Sequence, residues 1–183
     1  QEFRQASDHF RQGRLAQALD GFSRALAVDP RHDAARQSLV GALLNSRRSS
    51  EAERLLVERL GMAPDHAGFA SILAQLQAER GDANGALVTL GASLPWATGN
   101  APYHATMAAL QARLGQHPQA ITHYQTALRL TPNSGVWWMG LGLSLQAVGR
   151  NAEAVEALQR ARSGENISPE LLAFVEQRLR QMQ

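Results

Sequence analysis

Apolar and polar positions along this chain alternate with a helical period. Ala120, Ile121, Tyr124, Ala127 and Leu128 fall at i, i+1, i+4, i+7 and i+8, a spacing that lines one face of an α-helix. That face recurs at a fixed interval, because Ala18, Ala52, Ala86, Ala120 and Ala154 stand thirty-four residues apart with no insertion or deletion between them. Two kinds of punctuation keep the same period. Gly13, Gly81, Gly115 and Gly149 mark one turn, with Arg47 in the glycine's place in the second unit; Pro30, Pro64 and Pro132 mark the other, with Thr98 and Asn166 as replacements. A glycine just past a helix end suits a left-handed cap, and a proline lies where a helix must stop, so each unit reads as helix, tight turn, helix.

The small residues set how closely those helices approach. Ala6, Ala74, Ala108 and Gly142 in first helices face the alanine column of the second helices, while Phe22, Leu56, Leu90, Tyr124 and Leu158 supply bulk one turn further on. The expected architecture is all-α: one domain over residues 1–183, with helix-turn-helix repeats at about 1–32, 33–66, 67–100, 101–134 and 135–168 and a capping helix at 169–183. Ser168 and Pro169 open that last helix, where Leu171, Leu172, Val175, Leu179 and Met182 form an apolar stripe and Glu170, Glu176, Arg178 and Arg180 are expected to face water. The first repeat lacks its opening two residues, and the chain begins at Gln1 already inside a helical pattern, as a fragment or processed form does.

This pattern resembles the tetratricopeptide repeat, which places Trp, Leu and Gly in the first helix and Ala, a large residue, Ala and Pro in the second. The fifth unit is nearest to it, with Trp138, Leu141, Gly142, Gly149, Ala154 and Ala161. The resemblance implies a right-handed superhelical solenoid with first helices lining a concave surface, and a protein that holds other proteins rather than an enzyme.

Composition agrees with helices: 44% of the residues are hydrophobic, only 5% aromatic. All 18 cationic residues are Arg, and against 16 acidic residues they leave a formal charge of +2. They are scattered, with Arg47 and Arg48 the single adjacent pair, so the clustered basic stripe that nucleic acid requires is missing. With no Cys, neither disulfides nor thiolate metal sites can form. The uncharged stretch from Leu130 to Gly149 is interrupted by Pro132, Asn133, Ser134, Ser144 and Gln146, leaving its apolar part too short to span a bilayer.

No catalytic, cofactor-binding or metal-binding constellation is expected. His9, His32, His66, His104, His117 and His123 keep no metal-ligand spacing, and each reads as a solvated turn residue, His32 and His66 in equivalent turns. Phosphate loops, nucleophile elbows and HExxH helices are absent, and Gly140, Leu141 and Gly142 read as close helix packing. Trp96 and Trp138 occupy places that the repeat fills with core residues. Trp137, beside a tryptophan already assigned to the core, lies either beneath the fourth repeat or exposed as a contact.

If first helices line the concave face, the residues left over after packing form rows: Phe3, Ser7, Arg11; Gln37, Gly41, Asn45; Ser71, Gln75, Glu79; Ala105, Ala109, Arg113; and Met139, Leu143, Ala147. Candidate partner-binding residues are therefore Asn45, Gln75, Glu79 and Arg113 for polar contacts, and Trp137, Met139 and Leu143 for apolar ones, with a protein or peptide as the partner. A clamp for a C-terminal carboxylate is disfavoured, since there is no Lys and Asn45 and Arg113 are two repeats apart. The segment GVWWMGLGLSLQ from Gly135 to Gln146 and the ending PELLAFVEQRLRQ are similar to the tetratricopeptide proteins of mannose-sensitive haemagglutinin pilus biogenesis, a type IV pilus system. That resemblance implies a scaffold for pilus assembly, in the periplasm, on an inner-membrane anchor preceding residue 1. The alternatives are a soluble chaperone for pilus or secretion subunits, and a cytoplasmic location; self-association is a further expectation. Replacing Ala120 by Leu should overpack the helix seam and destabilise the fold by about 1–3 kcal/mol, measured by chemical denaturation.

Overall fold

A computed structural model describes residues 1–182. Its α-helices are α1 (Glu2–Arg11), α2 (Leu15–Val28), α3 (Asp33–Asn45), α4 (Ser49–Met62), α5 (Ala67–Glu79), α6 (Ala83–Ser93), α7 (Ala101–Arg113), α8 (His117–Leu130), α9 (Gly135–Ala147), α10 (Asn151–Arg162) and α11 (Pro169–Gln181). The chain is all-α among the described residues, as paired helices followed by a closing helix; the one extended pairing is an isolated bridge between Ser134 and Glu165. The helices group into two compact units, Gln1–Asp82 and Ala83–Gln183, the boundary falling in the turn between α5 and α6.

Within each repeat the turn between helices is set by one backbone conformation. Gly13, Gly81, Gly115 and Gly149 have φ between 73° and 92°, and Arg47 joins them at 58°. At every one of the five positions the next residue's N–H reaches back five residues, as in Arg14 N to the His9 carbonyl at 2.9 Å and Arg48 N to the Leu43 carbonyl at 2.9 Å. This is the Schellman closure, in which the left-handed residue lets the chain satisfy the last carbonyls of the first helix. Open space surrounds those four glycines, so backbone conformation alone selects them.

The opposite turn, between repeats, carries a second device. The side chain before α3, α5, α7, α9 and α11 accepts a hydrogen bond from the N–H three residues on: His32 from Ala35 at 3.2 Å, His66 from Phe69 at 3.1 Å, Asn100 from Tyr103 at 3.1 Å, Ser134 from Trp137 at 3.4 Å and Ser168 from Leu171 at 3.3 Å. His32 and His66 are thus helix caps with Nδ1 as acceptor, and the solvated reading of them is corrected: both rings are half-buried, and that of His66 stacks on Phe69 at 3.7 Å.

The alanine column is the tightest part of the packing: Ala18, Ala52, Ala86, Ala120 and Ala154 are each 0% exposed. In the first unit Ala6, Phe22, Leu39, Leu56 and Phe69 belong to one continuous core. In the second, one cluster joins Ala108, Ala120, Tyr124, Leu141 and Ala154, and another seals the end by packing Leu158 and Ala161 against Val175 and Leu179 of α11. The capping role of the stripe is therefore seen at Val175, Leu179 and Met182, although Arg178 lies over the Phe174 ring at 5.3 Å, half-buried rather than fully facing water.

Two arginines are buried where the repeat usually holds apolar residues. Arg36, at the position of Trp138, is fully buried and donates to the carbonyls of Leu55 at 2.7 Å and Pro30 at 2.8 Å. Trp138 does the equivalent with its indole N–H, to the Pro132 carbonyl at 2.6 Å. Arg59, at a register position held by Ala25, Ser93, Ala127 and Ala161 in the other repeats, holds Asp33 through two bonds of 2.6 and 3.0 Å and Asp65 at 3.0 Å. That pairing holds the Asp33 carboxyl below its ordinary range.

The exposed Arg47 side chain makes no hydrogen bond or ion pair among the described residues, so Arg47→Gly should lose nothing there. Relief of about 1–2 kcal/mol of left-handed strain, set against roughly 0.5–1 kcal/mol of added unfolded-state entropy, predicts a net gain of about 0.5–1 kcal/mol in urea unfolding.

Candidate functional site

The second unit carries an open groove of about 390 Å³ along α7, walled by the start of α9 and floored in part by α8. Its width comes from small residues: Ala105 and Ala109, at i and i+4 on α7, present no more than a methyl group, with Leu110 beside them. Arg113 stands one turn further on the same row, and Tyr124 and Trp137 complete the lining that matters chemically.

Glycine makes room for the tyrosine. A Cβ at Gly140 would lie 2.4 Å from both Cζ and the hydroxyl oxygen of Tyr124, so this position on α9 is the slot into which the phenol fits. Gly142 serves the neighbouring helix in the same way, since a Cβ there would come within 2.8 Å of Leu158 Cγ. The reading of Gly140–Leu141–Gly142 as close helix packing thus holds in the geometry. Burial pushes the Tyr124 hydroxyl above its ordinary value, keeping it a donor at neutral pH.

Trp137 falls between the two alternatives drawn from sequence. It packs against the cluster of Ala108, Ala120 and Leu141, yet it stays half-buried and lines the groove. The groove therefore joins Arg113 and Trp137 of the candidate residues. Met139 turns instead toward Leu158, Ala161 and Val175 near the closing helix, and neither it nor the half-buried Leu143 lines this groove. Asn45, Gln75 and Glu79 belong to the first unit; there Gln75 donates to Glu79 at 2.9 Å and Asn45 is exposed at the end of α3.

Electrostatics around the groove are one-sided. From Ala83 to Ala152 the chain holds no Asp or Glu, and its charged residues are Arg113, Arg129 and Arg150. Arg150 is answered by Glu153 at 2.7 Å and Arg129 donates to the Thr126 hydroxyl at 2.9 Å. Arg113 is exposed and makes neither a hydrogen bond nor an ion pair among the described residues, and the same holds for the Tyr124 hydroxyl and the Trp137 indole N–H.

Two expectations are overturned here. His104 and His123 are not solvated turn residues: His104, only 7% exposed, faces His123 with Nδ1 atoms 3.1 Å apart, joining α7 to α8. His104 occupies the register position of Trp138 and Arg36, which every described instance buries at least in part, so the repeat register could have revealed it. Trp96 is 53% exposed rather than core, because its register column is Val28, Met62 and Leu130, all exposed. Pro95 also ends the helix early there, leaving Leu94–Trp96 as a 3₁₀ turn. Among the described residues no group of three or more His, Asp or Glu could hold a metal, and no helix is long and apolar enough to cross a membrane.

Comparison with known proteins follows this geometry. Tetratricopeptide-repeat models match residues 9–60 and 106–167. No curated protein matches the chain. Among solved structures, YrrB, described as a TPR protein with an unusual peptide-binding site, superposes with a TM-score of 0.79 at 14% identity, over 96% of this chain and 90% of that one. MamA superposes at 0.73 with 18% identity over 87% of each chain, and the AMB-1 form of MamA at 0.74 with 22% identity over 94% of each. At such identities the likeness establishes fold, and the helical hairpins of this chain are tetratricopeptide repeats.

The histidine pair gives the fold a pH dependence. Burial, and then the neighbouring His104, hold His123 below its ordinary value. As pH falls below ~6.5 the unfolded chain takes up a proton that the folded chain resists, so stability falls through the window between the two values. The melting temperature should drop more between pH 7.5 and 5.5 for the wild type than for His123→Gln, with calorimetry as the check; equal drops would clear the pair of this role.

Proposed function

We propose that this tetratricopeptide-repeat chain is a protein-interaction scaffold that holds a partner segment in the groove between α7 and α9. The observation that carries this reading is the groove itself: a floor of small residues, flanked by a guanidinium, a phenol and an indole that have no partner within the protein. Arg113 is exposed and Trp137 half-buried, so their unpaired donors are inexpensive to leave in water, whereas the hydroxyl of the buried Tyr124 gains most when a complementary chain brings an acceptor. The peptide-binding site attributed to YrrB, a chain of the same fold, favours a peptide as occupant. No nucleophile, acid–base pair or metal cluster competes for the groove, and the reading is of a binding module without catalysis.

A finer proposal names the setting. The run GVWWMGLGLSLQ at the head of α9 and the sequence of α11 support a place in type IV pilus assembly of the mannose-sensitive haemagglutinin kind. In that setting the array would work in the periplasm, tethered by a membrane anchor upstream of residue 1, and would collect assembly components. This part of the proposal rests on those residues alone.

Ala109 lines the groove and is exposed, so a bulky substitution there blocks the site without disturbing the core. Affinity capture with wild type and Ala109→Trp, matched for melting temperature, should recover a set of proteins with wild type that the variant loses. Identical recovery by both would remove the groove from the function. Pilus-assembly components in the lost set are the expected outcome of the finer proposal, whereas binding of isolated subunits with suppression of their aggregation would point to the chaperone alternative.

A further inference from the structure

The groove's chemistry says what kind of segment it takes. Its hydrogen-bonding groups without internal partners are Arg113, the Trp137 indole N–H and the Tyr124 hydroxyl. The first two can only donate, and the third can donate. Thr106, also in the lining, already spends its hydroxyl proton on the Pro102 carbonyl at 2.9 Å. An occupant of this groove must therefore bring acceptors.

Charge narrows the choice further. Across α6 to α9 no carboxylate is present to neutralise Arg113, so the groove sits in a positive local field with nothing on these helices to oppose an anion. The rest of the lining, Pro102, Ala105, Ala109, Leu110 and Val136, is apolar, which suits an aliphatic side chain. We propose that the occupant is an acidic, apolar peptide segment of a partner protein, with an aspartate or glutamate side chain on the Arg113 guanidinium and a neighbouring aliphatic side chain on the alanine floor. Backbone carbonyls of the segment accept from the Trp137 indole and the Tyr124 hydroxyl. This inference rests on the groove being the partner site, and adds the chemistry of the partner.

The test uses the whole chain and two labelled peptides, one alternating leucine with glutamate and the other leucine with glutamine, followed by fluorescence anisotropy at low ionic strength. Wild type should bind the glutamate peptide at least about tenfold more tightly than the glutamine peptide, since a charge-assisted bond is lost in the second. Arg113→Gln should abolish that preference and leave glutamine-peptide binding unchanged. Arg129→Gln removes an equal charge from α8 outside the groove and should preserve the preference. Equal binding of the two peptides by wild type, or equal erosion by both arginine variants, overturns the inference. If both peptides bind alike and Ala109→Trp blocks them, the groove reading survives and only the acidic chemistry falls. If neither peptide binds wild type, the groove reading and the inference fall together.

Discussion

The structure depends on how closely the helices are allowed to approach. An alanine with no exposed surface sits in the first turn of every second helix, and the first helices answer with small residues at Ala6, Ala74, Ala108 and Gly142. Where the partner is Gly21, a Cβ would come within 2.7 Å of the Ala6 methyl carbon, so even one methyl group is excluded. Interiors packed to crystal-like density have no room to absorb such a change without shifting a backbone. The thirty-four-residue period is the consequence: once the contact between paired helices is this tight, an inserted residue in a helix or a turn would rotate the small residue off the seam.

That constraint explains which features were legible from the residues and which were not. The alanine column, the glycine turns and the closing helix could be read because each requires a particular residue type at a particular offset. Arg47 was legible as a departure, and its left-handed backbone shows that the turn imposes its conformation whatever residue occupies it. The caps at His32 and His66 were harder to see, because imidazole is an uncommon acceptor in a place where Asn100, Ser134 and Ser168 do the same work. Assigning a role to the register column, rather than to each histidine separately, would have found them. The same column logic places Trp96 on the outside.

Buried polar groups escaped the reading for a different reason. Burying Arg36 and Arg59 is costly unless their donors are answered, as all but the Nε of Arg36 are, and nothing in the local sequence reveals the answer. Arg36 draws on the carbonyls of Pro30 and Leu55, and Arg59 on carboxylates at Asp33 and Asp65, partners separated from it by up to 26 residues of sequence. The Pro132 carbonyl that receives the Trp138 indole and the Pro30 carbonyl that receives Arg36 are one acceptor at two points of the repeat.

The groove is the converse case, and it is where the fold leaves chemistry unspent. The row Ala105, Ala109, Arg113 was legible as a helix face, but its meaning needed the neighbouring helices: Trp137 from one side, Tyr124 through the slot at Gly140, and the lack of any carboxylate from α6 to α9. In the first unit the arginines that enter the core meet carboxylates of the same chain, and the charge is consumed in holding repeats together. Arg113 is held at the surface of a stretch from which such partners are missing, so no ion pair within those helices consumes its charge. A cation without an ion-pair partner, set beside the exposed methyl group of Ala109, is available to a ligand at little conformational cost, because the helix carrying both is already fixed by the alanine seam.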